Sequence, residues 1–331
     1  MEEGLTEVIA WVKDNWEQVQ KELLEYVHKK YYRMKNKRVI NDQKVIILIA
    51  ITSDIGTALA KRYSNEGYTI VGTYRSTNQL NELTDIPNCH LFSCDIGDKR
   101  SISKFVKEYA ELGLPWDTFI SCPCDPLPIK AFFKCNFDEW SDSVHINAIE
   151  QLGVLHQLYP YRNQNQIANV VFFAGGGVND AVINFSAYTI SKIMLIKMCE
   201  FLDAENEDLN IFIVGPGWTK TKTHYLILEN ADRTDPKYHE TLDFIKNEEG
   251  TSMDDIYGCI KWLSEQGKEV TSGRNFSLVN DKWKGNLSAR LSSELKCDIN
   301  MYKLRRCKND FLTQIIAEVK STEKANTKRG I

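Results

Sequence analysis

The chain has no long hydrophobic run: its longest, Val45 to Ile51, is seven residues. That length suits a buried strand and falls far short of a membrane span, so membrane insertion is not expected. Its opening, with Glu2 and Glu3, has no basic stretch followed by an apolar one, so no export signal is expected. Nor does one sign of charge dominate. Against 45 acidic residues stand 41 basic ones, a net charge of −4. Such a balance leaves no electrostatic footprint for nucleic acid or an anionic membrane. Short basic clusters such as Lys29-Lys30 and Lys303 to Lys308 read as solvated surface. Internal repeats and low-complexity segments are absent. With 43% hydrophobic and 26% charged residues the chain is too apolar for disorder.

Metal-ligand spacing is also missing. Cysteines stand at 89, 94, 122, 124, 135, 199, 259, 297 and 307. Cys122-Pro123-Cys124 is tighter than the usual C-x-x-C pair, and no second pair or histidine cluster follows it. No metal is expected, and the cysteines read as reduced thiols of a cytoplasmic protein.

Among the features that are present, Leu5, Ile9, Val12, Trp16, Val19, Leu23 and Tyr26 form a heptad seam within residues 1–43. A helix with such a seam must bury it, against its own domain, a second copy or a partner protein. From Lys44 strands and helices alternate. Strands are expected at Val45–Ala50, Tyr68–Thr73, Cys89–Cys94, Thr118–Ser121, Asn169–Phe173, Asn210–Val214 and Arg274–Val279. Helices are expected at Thr57–Asn65 and Ser101–Leu112, from Phe137 to Leu158, and around Tyr188. This alternation is the pattern of an α/β, doubly wound parallel sheet. The expected organisation is one domain over 44–283, an N-terminal amphipathic helical extension over 1–43, and a polar C-terminal extension over 284–331.

In such a sheet ligands bind at the carboxyl ends of the strands, and a dinucleotide pyrophosphate meets the helix after the first strand. Here that turn reads Ala50-Ile51-Thr52-Ser53-Asp54-Ile55-Gly56. Of a glycine-rich turn only Gly56 remains. Thr52 and Ser53 hydroxyls, with backbone N–H groups, are left to hold the phosphates. Asp54 either repels them mildly or faces away as the helix N-cap. After the second strand stands Thr73-Tyr74-Arg75-Ser76, with an arginine and no acid, which favours a 2′-phosphate and hence NADP over NAD. Tyr188 and Lys192 fall at i and i+4 and share one helix face. An ammonium beside a phenol favours the phenolate, which makes the tyrosine a proton donor or acceptor near neutrality.

These pieces, in this order, resemble the short-chain dehydrogenase/reductase superfamily over residues 44–283. The match rests on the degenerate turn, Asp95-Ile96 after the third strand, and Asn147 in His145-Ile146-Asn147-Ala148. Tyr188-x-x-x-Lys192, Pro216-Gly217 with Thr219 and Thr221, and Thr271-Ser272-Gly273-Arg274 complete it. The resemblance implies a Rossmann fold and a set of roles. Tyr188 passes the proton, Lys192 lowers its pKa and holds the nicotinamide ribose, and Asn147 anchors a relay water. Thr52, Ser53, Ile55 and Gly56 line the pyrophosphate turn, and Asp95 and Ile96 contact adenine. Pro216, Gly217 and Thr219 or Thr221 fix the carboxamide. A dimer or tetramer through the helices carrying Asn147 and Tyr188 is implied as well.

Two departures stand out. Ser121-Cys122-Pro123-Cys124 replaces the family's Asn-Asn-Ala-Gly. The catalytic serine expected at the end of the fifth strand is absent, because that stretch reads Phe173-Ala174-Gly175-Gly176-Gly177. Losing one such donor costs about 10²–10³ in rate. A serine restored at Ala174 or Gly175 is expected to raise turnover. Ala174-Gly-Gly-Gly, Asn184 to Tyr188, Asp281-Lys282-Trp283 and Met301 to Arg306 are similar to a subgroup linked with surface polysaccharides and nucleotide sugars. The leading expectation is an NADP(H)-dependent oxidoreductase of a small-molecule carbonyl or secondary alcohol, a sugar or sugar nucleotide. A catalytically impaired dinucleotide-binding or scaffold subunit is the alternative, and an epimerase or dehydratase is a third. Residues Lys222 to Asp255, aromatic and polar, read as the substrate lid or as a helical insertion.

Overall fold

The computed structural model describes residues 43–77, 80–247 and 249–307. The heptad seam of residues 1–43 lies outside the described residues, as does the end of the chain from 308. The strands are β1 (Val45–Ile49), β2 (Thr69–Tyr74), β3 (Cys89–Ser93), β4 (Thr118–Ser121), β5 (Ala168–Phe173), β6 (Leu209–Gly215) and β7 (Arg274–Ser277). All pair in parallel, in the order β3-β2-β1-β4-β5-β6-β7. The order reverses between β1 and β4, which places the crevice of a doubly wound sheet above β1.

Parallel strands need crossovers, and here those are helices: α1 (Asp54–Asn65), α2 (Asn81–Thr84), α3 (Lys99–Leu112), α4 (Phe137–Val144), α5 (Glu150–Leu158) and α6 (Ser186–Glu205). Between β6 and β7 lie α7 (Lys222–Asn230), α8 (Pro236–Asn247), α9 (Met253–Gln266) and α10 (Lys268–Thr271), and α11 (Ser288–Cys297) follows β7. The sheet is covered on both faces, which is why β1 reads as an unbroken apolar run. Val45, Ile47 and Ile49 pack with Phe105 of α3, Val154 of α5 and Leu195 of α6. Ile46 and Leu48 face the other way, onto Leu59 of α1 and Ile256 and Ile260 of α9. The helix ends obey local rules: the Asp98 carboxylate accepts Arg100 N–H to start α3, and Gly113, at φ 64°, ends it. Among the described residues no helix is long and apolar enough to cross a membrane.

One expected element differs. The helix read as continuous from Phe137 to Leu158 contains a π-turn over His145–Ile149. Two side-chain amides compete for the helix carbonyls there. Asn147 Nδ2 donates to Ser143 O (3.0 Å), and Gln151 Nε2 donates to Ile146 O (3.2 Å) and Asn147 O (2.9 Å). Such competition is a recognised way to disturb the i→i−4 ladder.

Residues 284–307 pack onto the sheet. Leu291 and Leu295 of α11 join the core that Ile46 and Leu48 belong to. Arg274, 4% exposed, donates from Nη1 to Asp298 O (3.0 Å) and Met301 O (2.8 Å), and from Nη2 to Leu295 O (2.7 Å). Arg274→Ala leaves those carbonyls without their charged donor and is expected to destabilise the fold by about 2–3 kcal/mol. A shift of the urea midpoint at unchanged m-value checks it.

Candidate active site

The turn after β1 begins at Ala50, whose φ of 58° lies in the left-handed region that favours glycine. An alanine there is strained by about 1 kcal/mol, and hydrogen bonds from its neighbours hold the turn in place. Ala50 N–H donates to Thr73 Oγ1 (3.1 Å), and Ile51 N–H to Thr73 O (2.8 Å). A Cβ at Gly56 would stand 2.7 Å from Ala50 O and 2.9 Å from Ile51 O, so the backbone itself demands glycine. Ser53 is the N-cap of α1, its hydroxyl accepting Gly56 N–H at 3.0 Å. Asp54 therefore does not cap its own helix. Its Oδ2 accepts the backbone N–H of Lys222, the first residue of α7, at 2.8 Å. Lys222 Nζ lies 3.2 Å from Thr52 O and 3.9 Å from Asp54 Oδ1.

Arg75 is exposed at the end of β2. Asp95 and Ile96 follow β3; Asp95 Oδ1 accepts Gly97 N–H (3.0 Å) and Ile96 is buried. No direct contact joins these residues to Tyr188 or Lys192. They share with them only the carboxyl edge of the sheet.

The loop after β4 is held by two buried carboxamides. Asn147 accepts Asp125 N–H (2.9 Å) and donates to Asp125 O (2.7 Å). Gln151 accepts from Ser121 Oγ (2.8 Å) and donates to Pro123 O (3.2 Å). Both side chains are fully buried. Together they fix Cys122-Pro123-Cys124-Asp125, with Cys122 turned into the core and Cys124 exposed. The Cys124 thiol points at Tyr188 Oη (3.9 Å) and accepts from Thr223 Oγ1 of α7 (3.7 Å). Neither Gln151 nor Cys124 was expected from sequence. The Cys-Pro-Cys tripeptide puts one thiol in the core and the other beside the Tyr188 hydroxyl. Among the described residues no group of three His, Cys, Asp or Glu side chains is placed to hold a metal ion.

Tyr188 and Lys192 sit on the first two turns of α6, as their spacing predicts, with Lys192 Nζ 5.6 Å from the Tyr188 ring centroid. Lys192 is 2% exposed and has no hydrogen-bond partner among the described residues. Burial, then the neighbouring Cys124 thiol, holds Tyr188 well above the ordinary phenol pKa. Burial lowers Lys192, partly offset by Cys124 and Cys122. The direction is opposite to the expected depression of the phenol pKa, because burial and the Cys124 thiol both raise it.

At the position where the resemblance implies a serine, Gly175 packs against the tyrosine. A Cβ there would lie 2.5 Å from Tyr188 Cε1 and Oη. Putting a serine at this position therefore requires the ring to move.

Beyond β6, Pro216 and Gly217 (φ 75°) turn the chain, and Thr219 pairs with Gly250 in an isolated bridge. Thr219 Oγ1 is buried without a partner. Thr221 precedes α7, its hydroxyl 3.4 Å from His224 Nδ1. Lys222 to Asp255 forms α7, α8 and the start of α9, with His224 stacked on Trp218 and Phe244 set edge-on to that tryptophan. The unpartnered Lys192 ammonium and Thr219 hydroxyl, with the tight turn at Gly56, fit a nicotinamide dinucleotide laid along the strand ends. Asp54, in the phosphate turn itself, is a charged group that opposes it.

The family model described as enoyl-(acyl carrier protein) reductase matches residues 49–278, and the chain belongs to this family of short-chain dehydrogenases/reductases. An uncharacterized oxidoreductase of Bacillus subtilis, YvrD, is 23% identical over 248 residues, spanning 70% of this chain and 93% of its own. Serine 3-dehydrogenase of Rhizobium radiobacter is 21% identical over 68% of this chain and 89% of its own. Among solved structures, a short-chain dehydrogenase/reductase of Saccharomyces cerevisiae superposes with TM-score 0.66 at 18% identity, over 72% of this chain and 97% of its own. An actinorhodin polyketide ketoreductase with NADPH gives TM-score 0.64 at 19% identity, over 72% and 98%. The protein is an oxidoreductase of this class.

Gly175→Ala puts a methyl group against Tyr188 and is expected to cost about 1–3 kcal/mol by overpacking. A lowered Tm, with the tyrosine's near-ultraviolet signal changed, is the readout. An unchanged Tm would show that the ring yields freely.

Proposed function

We propose that this chain is an NADPH-dependent reductase of a small carbonyl compound, a sugar or sugar nucleotide being the class favoured by the subgroup resemblance. The observation that carries the reading is the buried Lys192 ammonium without a hydrogen-bond partner, beside Tyr188. A cation so placed needs oxygen ligands, and the ribose hydroxyls of a nicotinamide nucleotide supply them. Tyr188, beside that ammonium, is the proton donor of this reading.

In this reading the bound cofactor carries the hydride. Lys192 and Thr219 hold its nicotinamide half, Ser53, Ile55 and Gly56 line its phosphates, and Asp95 and Ile96 border the adenine. Pro216, Gly217, Thr221 and Thr52 shape the same edge. Arg75, exposed and beyond an acid-free strand end, supports NADP over NAD. Asn147 acts by clamping the loop that bears Cys124 as well as by anchoring water. Substrate enters between that loop and α7.

The same class of fold supports a homo-oligomer. Helix α6 keeps Ile190 (47%) and Phe201 (50%) exposed on its outer face, as a helix does when a second copy covers it. All nine cysteines are free thiols, which supports a cytoplasmic location. A second reading, a dinucleotide-binding subunit with little turnover, draws on Asp54 in the phosphate turn and on the missing hydroxyl at Gly175.

NADPH should bind wild type tightly, NADH more weakly, and Arg75→Ala should remove most of the difference in a fluorescence titration. Tyr188→Phe should bind NADPH as wild type does, yet lose about 10²–10⁴ in turnover of any carbonyl the wild type reduces. Failure of wild type to bind either nucleotide rules out the reductase.

A further inference from the structure

A carboxylate in a turn that receives phosphates demands a counter-charge. Asp54 stands at the first position of α1, where the helix N-terminus favours an anion and a bound pyrophosphate would meet a second negative group. The chain supplies a cation from 168 residues away in sequence. Lys222 approaches from α7 with its backbone N–H on Asp54 Oδ2 and its Nζ 3.2 Å from Thr52 O. The ammonium thus lies against the phosphate turn, on a side chain that is half exposed. Its field also reaches Glu82 of α2, whose carboxyl is lowered first by its hydrogen bond and charge contact with Lys61 and then by Lys222. That sets the charge beside the β1 turn and within electrostatic reach of α2.

Resting on the dinucleotide reading above, we propose that Lys222 is a pyrophosphate-binding residue. It is delivered by α7, offsets Asp54, and replaces the backbone room that an eroded glycine turn no longer offers. Asp54 then has two uses: it caps α7 through the Lys222 N–H, and it aims the Lys222 side chain back across the turn. Cofactor binding and the seating of α7 become one event. Because α7 also carries Thr223, which bonds the Cys124 thiol beside Tyr188, the nucleotide's phosphates and the substrate side of the site report to the same helix.

The opposing account is a latch, in which the Lys222–Asp54 pair closes the turn and must break before a nucleotide enters. The two accounts predict opposite signs. Titrations of the full chain with NADPH and with NADH, read by fluorescence, on wild type, Lys222→Ala, Asp54→Asn and the double variant separate them. If Lys222 binds the pyrophosphate, Lys222→Ala weakens both nucleotides alike by about tenfold, since both carry that group. On the Asp54→Asn background the same change costs about threefold, because no carboxylate is left to neutralise. Chymotrypsin cleavage at Tyr225 and Tyr238 should be slowed by NADPH in wild type and not in Lys222→Ala. Tighter binding in Lys222→Ala establishes the latch, and unchanged binding reduces Lys222 to a helix contact. Either result overturns the proposal while leaving the NADPH reading intact. Absence of binding in wild type overturns both.

Discussion

A parallel sheet points every strand end the same way and hides both of its faces. That constraint organises the whole molecule. Because Val45, Ile47 and Ile49 go to one core and Ile46 and Leu48 to the other, the sheet needs helices on both sides. Each crossover then leaves from the same rim, directly into a helix or through a loop. The carboxyl edge collects β1's turn, Arg75, Asp95, the Cys122–Asp125 loop and the Pro216 turn with no further design. A long apolar strand therefore brings polar chemistry to one rim.

Within that rim the decisive fixing is done by buried amides rather than by ion pairs. Asn147 and Gln151 each bond the backbone of the loop after β4, and they bend their own helix into a π-turn to do so. A fully satisfied amide fixes position without the desolvation cost of a charge. The arrangement leaves Cys124 facing Tyr188 across a gap of 3.9 Å, with Gly175 closing the other side of the ring. The phenol is thus held between a thiol and a bare backbone, in surroundings that raise its pKa.

The sheet was legible in the sequence because buried parallel strands are continuous apolar runs and their breaks carry turn residues. Tyr188 and Lys192 were legible because helical spacing is local. Contacts between distant segments were not, Gln151 and Cys124 among them. The Ser53 cap is adjacent in sequence to the acid that looked the better cap, and only geometry separates them. The Lys222–Asp54 contact joins residues far apart in the chain, where no periodicity reports on pairing. The phenol's pKa depends on burial by surrounding segments, and burial reversed the direction that pair spacing alone suggested.

Arg274 donates to three carbonyl oxygens of residues 295–301, and the Asp298 carboxylate adds a charge interaction. The hydrogen bonds of the tether follow the path of the chain more than its side chains. Sequence can drift at the exposed positions while Leu295 stays in the core, and an insertion or a deletion of one residue is what the clamp would register.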